Sequence, residues 1–274
     1  MKDMLNQVQD MLTVDAIMVA KSDLLTWRPG TDDSHVQQTI RDEEYNQVPV
    51  LNEQGQIQGL ATVESPDREL PGSSAHHPVS PAWLVSADTS IRRLIDILDR
   101  EDRHPARFVF QENRIVGMVT FADLNRAVAR TALYILLSRL EIELARILRR
   151  EATDSWAYVD LLSKKRRKRF AELRGKMEAQ DVVQDPIEHF SLADIFTAIG
   201  KTPEVYQKLG HPSRKKFSAA TSGINTLRNS VAHSTRMVVE GVENVEEVNR
   251  RCARIEVLLE RIVIDEGGGP NVSI

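Results

Sequence analysis

Gly117-Met118-Val119-Thr120-Phe121-Ala122-Asp123 decides the fold, because Gly59-Leu60-Ala61-Thr62-Val63-Glu64-Ser65 stands upstream in the same frame. The offset is about 58 residues, an internal repeat that has to be settled before any fold is assigned. Aligned, Gly59 falls opposite Gly117, Thr62 opposite Thr120, and Ser65 opposite Asp123. Each stretch closes a hairpin pattern. In the first copy Gln47-Val48-Pro49-Val50-Leu51 reads as a strand, Asn52 to Gly55 as a turn and residues 56–63 as a second strand. In the second copy Arg107-Phe108-Val109-Phe110 is followed by a turn at Gln111-Glu112-Asn113 and a strand over 115–120. A helix precedes each hairpin, at 34–44 and at 90–102. The latter has an Asp/Thr/Ser start and an apolar stripe of Ile91, Leu94, Ile95 and Leu98. Residues 65–81, rich in Pro, Gly, Ser and His, read as a linker loop, and His76 and His77 within it as solvated or as phosphate contacts.

Outward from Asp123 the pattern becomes helical. One long helix is expected over 123–152, with Leu133, Ile135, Leu136, Leu140, Ile142, Leu144, Ile147 and Leu148 on its apolar face. Further helices are expected at 155–178, from Ser191 to Gly200, from Pro203 to Gly210, at 212–234 and at 242–265. The expected division is an α+β domain at 1–125, an all-α bundle at 126–266 and a disordered tail at 267–274.

The repeat resembles CBS (cystathionine β-synthase-type) domains. Gly117-x-x-Thr120-x-x-Asp123 matches their Gly-x-x-Thr/Ser-x-x-Asp signature, and Thr13-Val14-Asp15-Ala16-Ile17-Met18 is similar to their opening. The resemblance covers about residues 10–128 as a tandem pair. It implies an adenine nucleotide (AMP, ATP or a relative) as a regulatory ligand, with Gly117, Thr120, Asp123 and Thr62 as binding residues. A hydroxyl would meet phosphate and a carboxylate would accept both hydrogen bonds of a ribose diol. The first copy departs from the pattern, with Ser65 where the carboxylate would stand. A dimerisation module without a ligand is the alternative.

Charge separates the halves. Residues 1–122 carry 11 Lys/Arg against 19 Asp/Glu, net −8, whereas residues 123–239 carry 21 against 13, net +8. The basic segment suits a polyanion such as RNA, and equally a solvated helical surface. Its densest run, Lys164-Lys165-Arg166-Arg167-Lys168-Arg169, is a candidate RNA-backbone contact that wraps a whole helix. The single cysteine, Cys252, excludes an internal disulfide and a cysteine-rich metal site. With no apolar run of about 18 residues and no signal-peptide pattern, a cytoplasmic protein with no membrane span is expected.

Within 212–234, Phe217, Ala220, Ile224, Leu227 and Val231 form a buried stripe, and Asn225, Asn229 and His233, four apart, are expected on one polar face. Asn225 joins the candidate RNA contacts. Arg228 and His233 stand about 140° apart on a regular helix, so a site using both calls for a second copy across a dimer axis. Leu227-Arg228-Asn229-Ser230-Val231-Ala232-His233 resembles the Arg-polar-x-x-x-His motif of HEPN domains, over roughly 130–264. That resemblance implies a homodimeric, metal-independent endoribonuclease. Arg228, Asn229 and His233 would be catalytic, no cofactor would be needed, and the products would end in 2′,3′-cyclic phosphate. The alternatives are a non-catalytic regulator that binds RNA or protein, and a surface Arg with a helix-capping His.

Overall fold

The computed structural model describes residues 2–63, 69–70, 76–100, 106–181 and 183–266. Ser65, most of the linker, the end of the expected 90–102 helix and the 267–274 tail lie outside them. The chain divides into two compact units, Asp10–Ala129 and Met1–Gln9 with Arg130–Ile274. The opening helix α1 (Lys2–Asp10) therefore falls mainly with the helical unit, where the sequence reading had placed residues 1–9 with the repeat.

In the first unit the elements are β1 (Val19–Ala20), α2 (Ser34–Asp42), β2 (Gln47–Leu51), β3 (Ile57–Thr62), β4 (His77–Pro78), β5 (Leu84–Ser86), α3 (Ile91–Leu98), β6 (Ala106–Gln111) and β7 (Arg114–Thr120). They form two sheets, β2-β3-β4 and β1-β7-β6-β5. In the second copy β5 runs parallel to β6 through α3, and the β6–β7 turn takes positive φ at Glu112 and Asn113. The first copy repeats this with a single parallel bridge, Trp27 to Val50, in place of β5.

The copies exchange strands. β1, from the start of the first copy, pairs with β7 of the second, while β4, just before the second, pairs with β3 of the first. Both repeated glycines serve this exchange. A Cβ on Gly117 would stand 2.5 Å from the Val19 carbonyl oxygen, and one on Gly59 would stand 2.6 Å from that of His77. Such approaches exclude any side chain. Trp27, Ile40, Val48, Val50, Ala61 and Val63 form one core cluster. Ile57 and Leu60 of β3 meet Ala106 and Phe108 of β6 in another, which joins the two sheets.

Three expected helices are shorter or broken. Asp123 does not open the long helix. Residues Phe121–Asn125 make a 3₁₀ turn, Arg126 is extended, and α4 runs Ala127–Glu151. On α4 the expected Leu133, Leu136, Leu140, Leu144, Ile147 and Leu148 are buried, joined by Leu137, while Ile142 is exposed. The expected 155–178 helix is α5 (Ala157–Asp160) and α6 (Lys164–Ala179), separated because Ser163 caps α6 through the Arg166 N–H. After α7 (Leu192–Gly200) and α8 (Pro203–Lys208), the expected 212–234 helix is α9 (Arg214–Thr221) and α10 (Ile224–Ala232). Gly223 breaks it with a φ of +80°. The last helix, α11 (Val242–Glu266), packs on α9 and α10, and α7 packs on α8 and α9.

Candidate functional site

In the repeat unit a cavity of about 330 Å³ opens between the two copies, within the usual range of roughly 300–1,000 Å³ for ligand pockets. Met118, Thr120, Phe121, Ala122 and Asp123 of the second copy form one wall. The first copy supplies the rest, chiefly Val19, Leu24, Tyr45, Gln47 and Pro49. Two chain-distant segments converge here because the start of β2 in one copy and the turn after β7 in the other line the same cavity.

Thr120 and Asp123 make a capping box. Asp123 Oδ2 accepts from the Thr120 N–H at 2.7 Å and from its hydroxyl at 3.1 Å. Oδ1 faces the Arg126 guanidinium, whose Nε lies 2.9 Å away. Burial pushes the Asp123 carboxyl above its ordinary value, against the lowering pull of the Thr120 N–H and of Arg126. On the opposite wall, Gln47 Oε1 is buried with no hydrogen-bond partner among the described residues. Three carboxylates, Asp23, Glu44 and Asp123, line the cavity, and no Lys, Arg or His does so among the described residues.

Of the four residues singled out for nucleotide binding, Thr120 and Asp123 line this cavity and Gly117 and Thr62 do not. Gly117 is required by the β1 approach, and Thr62 sits at the end of β3 opposite Gln47. Gln47 itself escaped the sequence reading. Its only signal was its place at the start of a strand whose other residues are core.

In the helical unit, Arg228 and Asn229 are half-buried on α10 and His233 is exposed just beyond it. Asn225 and Asn229 share a face, but His233 caps the helix in an extended conformation, so the expected polar stripe stops at Asn229. The His233 N–H donates to the Asn229 carbonyl at 3.1 Å. Arg130 of α4 holds the same helix end. Its guanidinium donates to the carbonyls of Ser230 (2.8 Å) and His233 (3.4 Å), and to that of Arg236. Glu141, also on α4, lies near enough to Arg228 to feel its charge and accepts from the Leu192 N–H; burial still pushes its carboxyl upward. Neither Arg130 nor Glu141 was singled out from sequence, since both read as solvated faces of a charged helix.

The basic run loses one member to the fold. Arg166 is half-buried and forks onto Asp194 (Nε–Oδ1 3.0 Å, Nη2–Oδ2 2.5 Å), the N-capping-box carboxylate of α7. Lys164, Lys165, Arg167, Lys168 and Arg169 remain exposed. Among the described residues no group of three or more His, Cys, Asp or Glu side chains is placed to hold a metal ion, and no helix is long and apolar enough to cross a membrane.

No curated protein matches this chain. Similar solved structures include a functionally unknown conserved protein domain from Neisseria meningitidis MC58, at 18% identity over 45% of this chain and 97% of that one, with a TM-score of 0.36. The CBS domain of a bacterial CNNM/CorC family Mg2+ transporter, solved in complex with ATP, is similar at 20% identity over 45% and 93%, with a TM-score of 0.34. CBSX2 in complex with AMP is similar at 16% identity over 44% and 96%, with a TM-score of 0.34. The family model for the CBS domain matches residues 76–130, the second copy of the repeat: this segment of the chain is a CBS domain.

Proposed function

We propose that the protein is an endoribonuclease controlled by an adenine nucleotide bound between its two repeats. The observation that carries the ligand half is the cavity itself, with the Asp123 carboxylate on one wall and Gln47, whose Oε1 has no partner among the described residues, on the other. Asp123 would take the ribose diol and Gln47 the exocyclic amine of adenine. Val19, Leu24 and Pro49 would supply an apolar slot for the base.

The catalytic half rests on the Arg228-Asn229-x-x-x-His233 motif and on the exposure of His233 at a helix end. In this reading a His233 imidazole takes the proton of an RNA 2′-hydroxyl. The 2′-oxygen then bonds to phosphorus, the 5′-oxygen leaves and accepts a proton, and a 2′,3′-cyclic phosphate remains. Arg228, joined by its counterpart in a second copy, would stabilise the charge on the phosphoryl oxygens. The five exposed residues of the basic run would hold the RNA backbone. A cationic first turn of α6 runs against the helix dipole, a cost that a polyanion relieves.

One observation favours a non-catalytic regulator instead: Glu141 already offsets the Arg228 charge, as in a structural pair. Incubation of the pure protein with end-labelled RNA in EDTA, with and without AMP and ATP, separates the two. The expected result is cleavage to 2′,3′-cyclic phosphate ends that changes with nucleotide and is abolished in His233→Ala and Arg228→Ala. Intact RNA under every nucleotide condition, or cleavage that persists in both variants, rejects the nuclease.

A further inference from the structure

We infer that Arg126 is the selectivity element of the inter-repeat pocket. Its guanidinium rests on Asp123 as a stand-in for the ribose diol and transfers to the ligand phosphate when the diol arrives. This deepens the nucleotide reading above and rests on it.

The hydrogen-bond capacity of Asp123 carries the argument. Oδ2 is filled by two donors from Thr120, at 2.7 and 3.1 Å. A carboxylate oxygen has about two acceptor sites, so a vicinal diol has to be met largely at Oδ1. Arg126 Nε already occupies that oxygen at 2.9 Å. Ribose and Arg126 therefore compete for it. Arg126 also donates to the Met18 carbonyl at 3.3 Å, so the resting guanidinium bridges Asp123 to the strand-exchange segment just before β1.

The charge of the pocket supplies the second half. Its described lining holds three carboxylates and no cation, which would repel a bound phosphate at close range. Arg126 is a cation already paired with a lining residue. Its side chain is 47% exposed and its backbone is extended, so it can swing without unpacking a core. Exchange of the carboxylate for a phosphate keeps the guanidinium paired with an anion throughout, and a planar fork suits both partners. A nucleoside displaces Arg126 and leaves it with no anion, whereas a nucleotide displaces it and accepts it. The pocket should thus prefer AMP to adenosine, and a 2′-deoxy ligand should fail to release the arginine.

Calorimetric titration of the full chain with AMP, adenosine and 2′-deoxy-AMP, in wild type, Arg126→Gln and Arg126→Lys, tests this. Wild type is expected to prefer AMP over adenosine by about ten- to hundredfold, the range of one charge-assisted hydrogen bond. Arg126→Gln should bind adenosine more tightly than wild type and lose most of the AMP preference, and Arg126→Lys should keep part of it. An unchanged AMP-to-adenosine ratio in Arg126→Gln, with adenosine binding intact, overturns the role of Arg126 while leaving the nucleotide pocket standing. Failure of wild type to bind either ligand overturns the nucleotide reading, and this proposal with it.

Discussion

At the scale of the residue, Asp123 does two jobs that pull against each other. As a cap it satisfies the Thr120 N–H, and as a buried carboxylate it suffers desolvation that raises its carboxyl above the ordinary value near 3.9. The folded chain therefore holds this proton to a higher pH than the unfolded chain does. The contribution of Asp123 to stability is fully present below the ordinary carboxylate value and is lost as pH rises through the elevated one. Ligand binding runs the other way, because acceptance from a diol needs the ionised form. The affinity for adenosine, which carries no titrating phosphate, should begin to fall on acidification at a pH above the ordinary carboxylate range, and Asp123→Asn should bind weakly at every pH with no such step. Titration on acidification from pH 7 checks this; a matching fall in Asp123→Asn removes Asp123 from the site. Thr120 and Asp123 were legible in the sequence because a hydroxyl and a carboxylate three apart after a strand form a local motif. Gln47 was not, because its role depends on which copy it faces across the cavity. Arg126 was not, because its partner is only three residues away and the pair looks like any surface ion pair.

At the scale of the element, the repeat was readable because strands announce themselves by alternation and by turn residues, and both copies carry them. The strand exchange was hidden: β1 and β4 are two residues long, too short to show a period. The helical half was read correctly in kind and too generously in length. Phe217, Ala220, Ile224, Leu227 and Val231 keep helical spacing straight through Gly223, and an isolated glycine costs a helix only about 1 kcal/mol. What ends α9 is the left-handed φ of Gly223, with the Ser222 carbonyl accepting from Arg254 at 2.7 Å. A Cβ at this position would also stand 2.7 Å from Arg251 Nε, in a side chain that is largely buried and paired with Glu247. Gly223→Ala is therefore expected to cost at least the conformational penalty, about 1–2 kcal/mol, together with a shift of Arg251. Chemical denaturation measures it; a stability equal to wild type would mean that α9 and α10 can join into one helix. Because of the break, the short α10 and not a continuous helix carries Arg228 and Asn229 and is capped by His233.

At the scale of the whole molecule, the two units are joined by α4, whose first three residues belong to the repeat unit and whose remainder belongs to the helical one. Both of the unforeseen residues at the candidate catalytic helix, Arg130 and Glu141, sit on α4, and Arg126 immediately precedes it. A ligand that moves Arg126 off Asp123 acts one residue before the helix that holds the end of α10. Control through this stretch belongs to the proposed function, and continuity of chain alone does not make it a coupling. Coupling requires that the ligand change the free energy of α10 as well as that of its own unit. At a ligand concentration about 100-fold above Kd, AMP should add roughly 2.7 kcal/mol to the stability of residues 10–129. Hydrogen exchange then separates local from transmitted effects. The His233 amide, bonded to Asn229 at 3.1 Å, and the Leu227 amide, bonded to Gly223 at 3.0 Å, report on the two ends of α10. With AMP bound, exchange at these amides should change together with that of β6 and β7, and the change should vanish in Asp123→Asn. If the repeat unit gains protection while α10 exchanges at its ligand-free rate, the units act independently. Any nuclease activity of the helical unit would then be constitutive, and the pocket would serve some other partner.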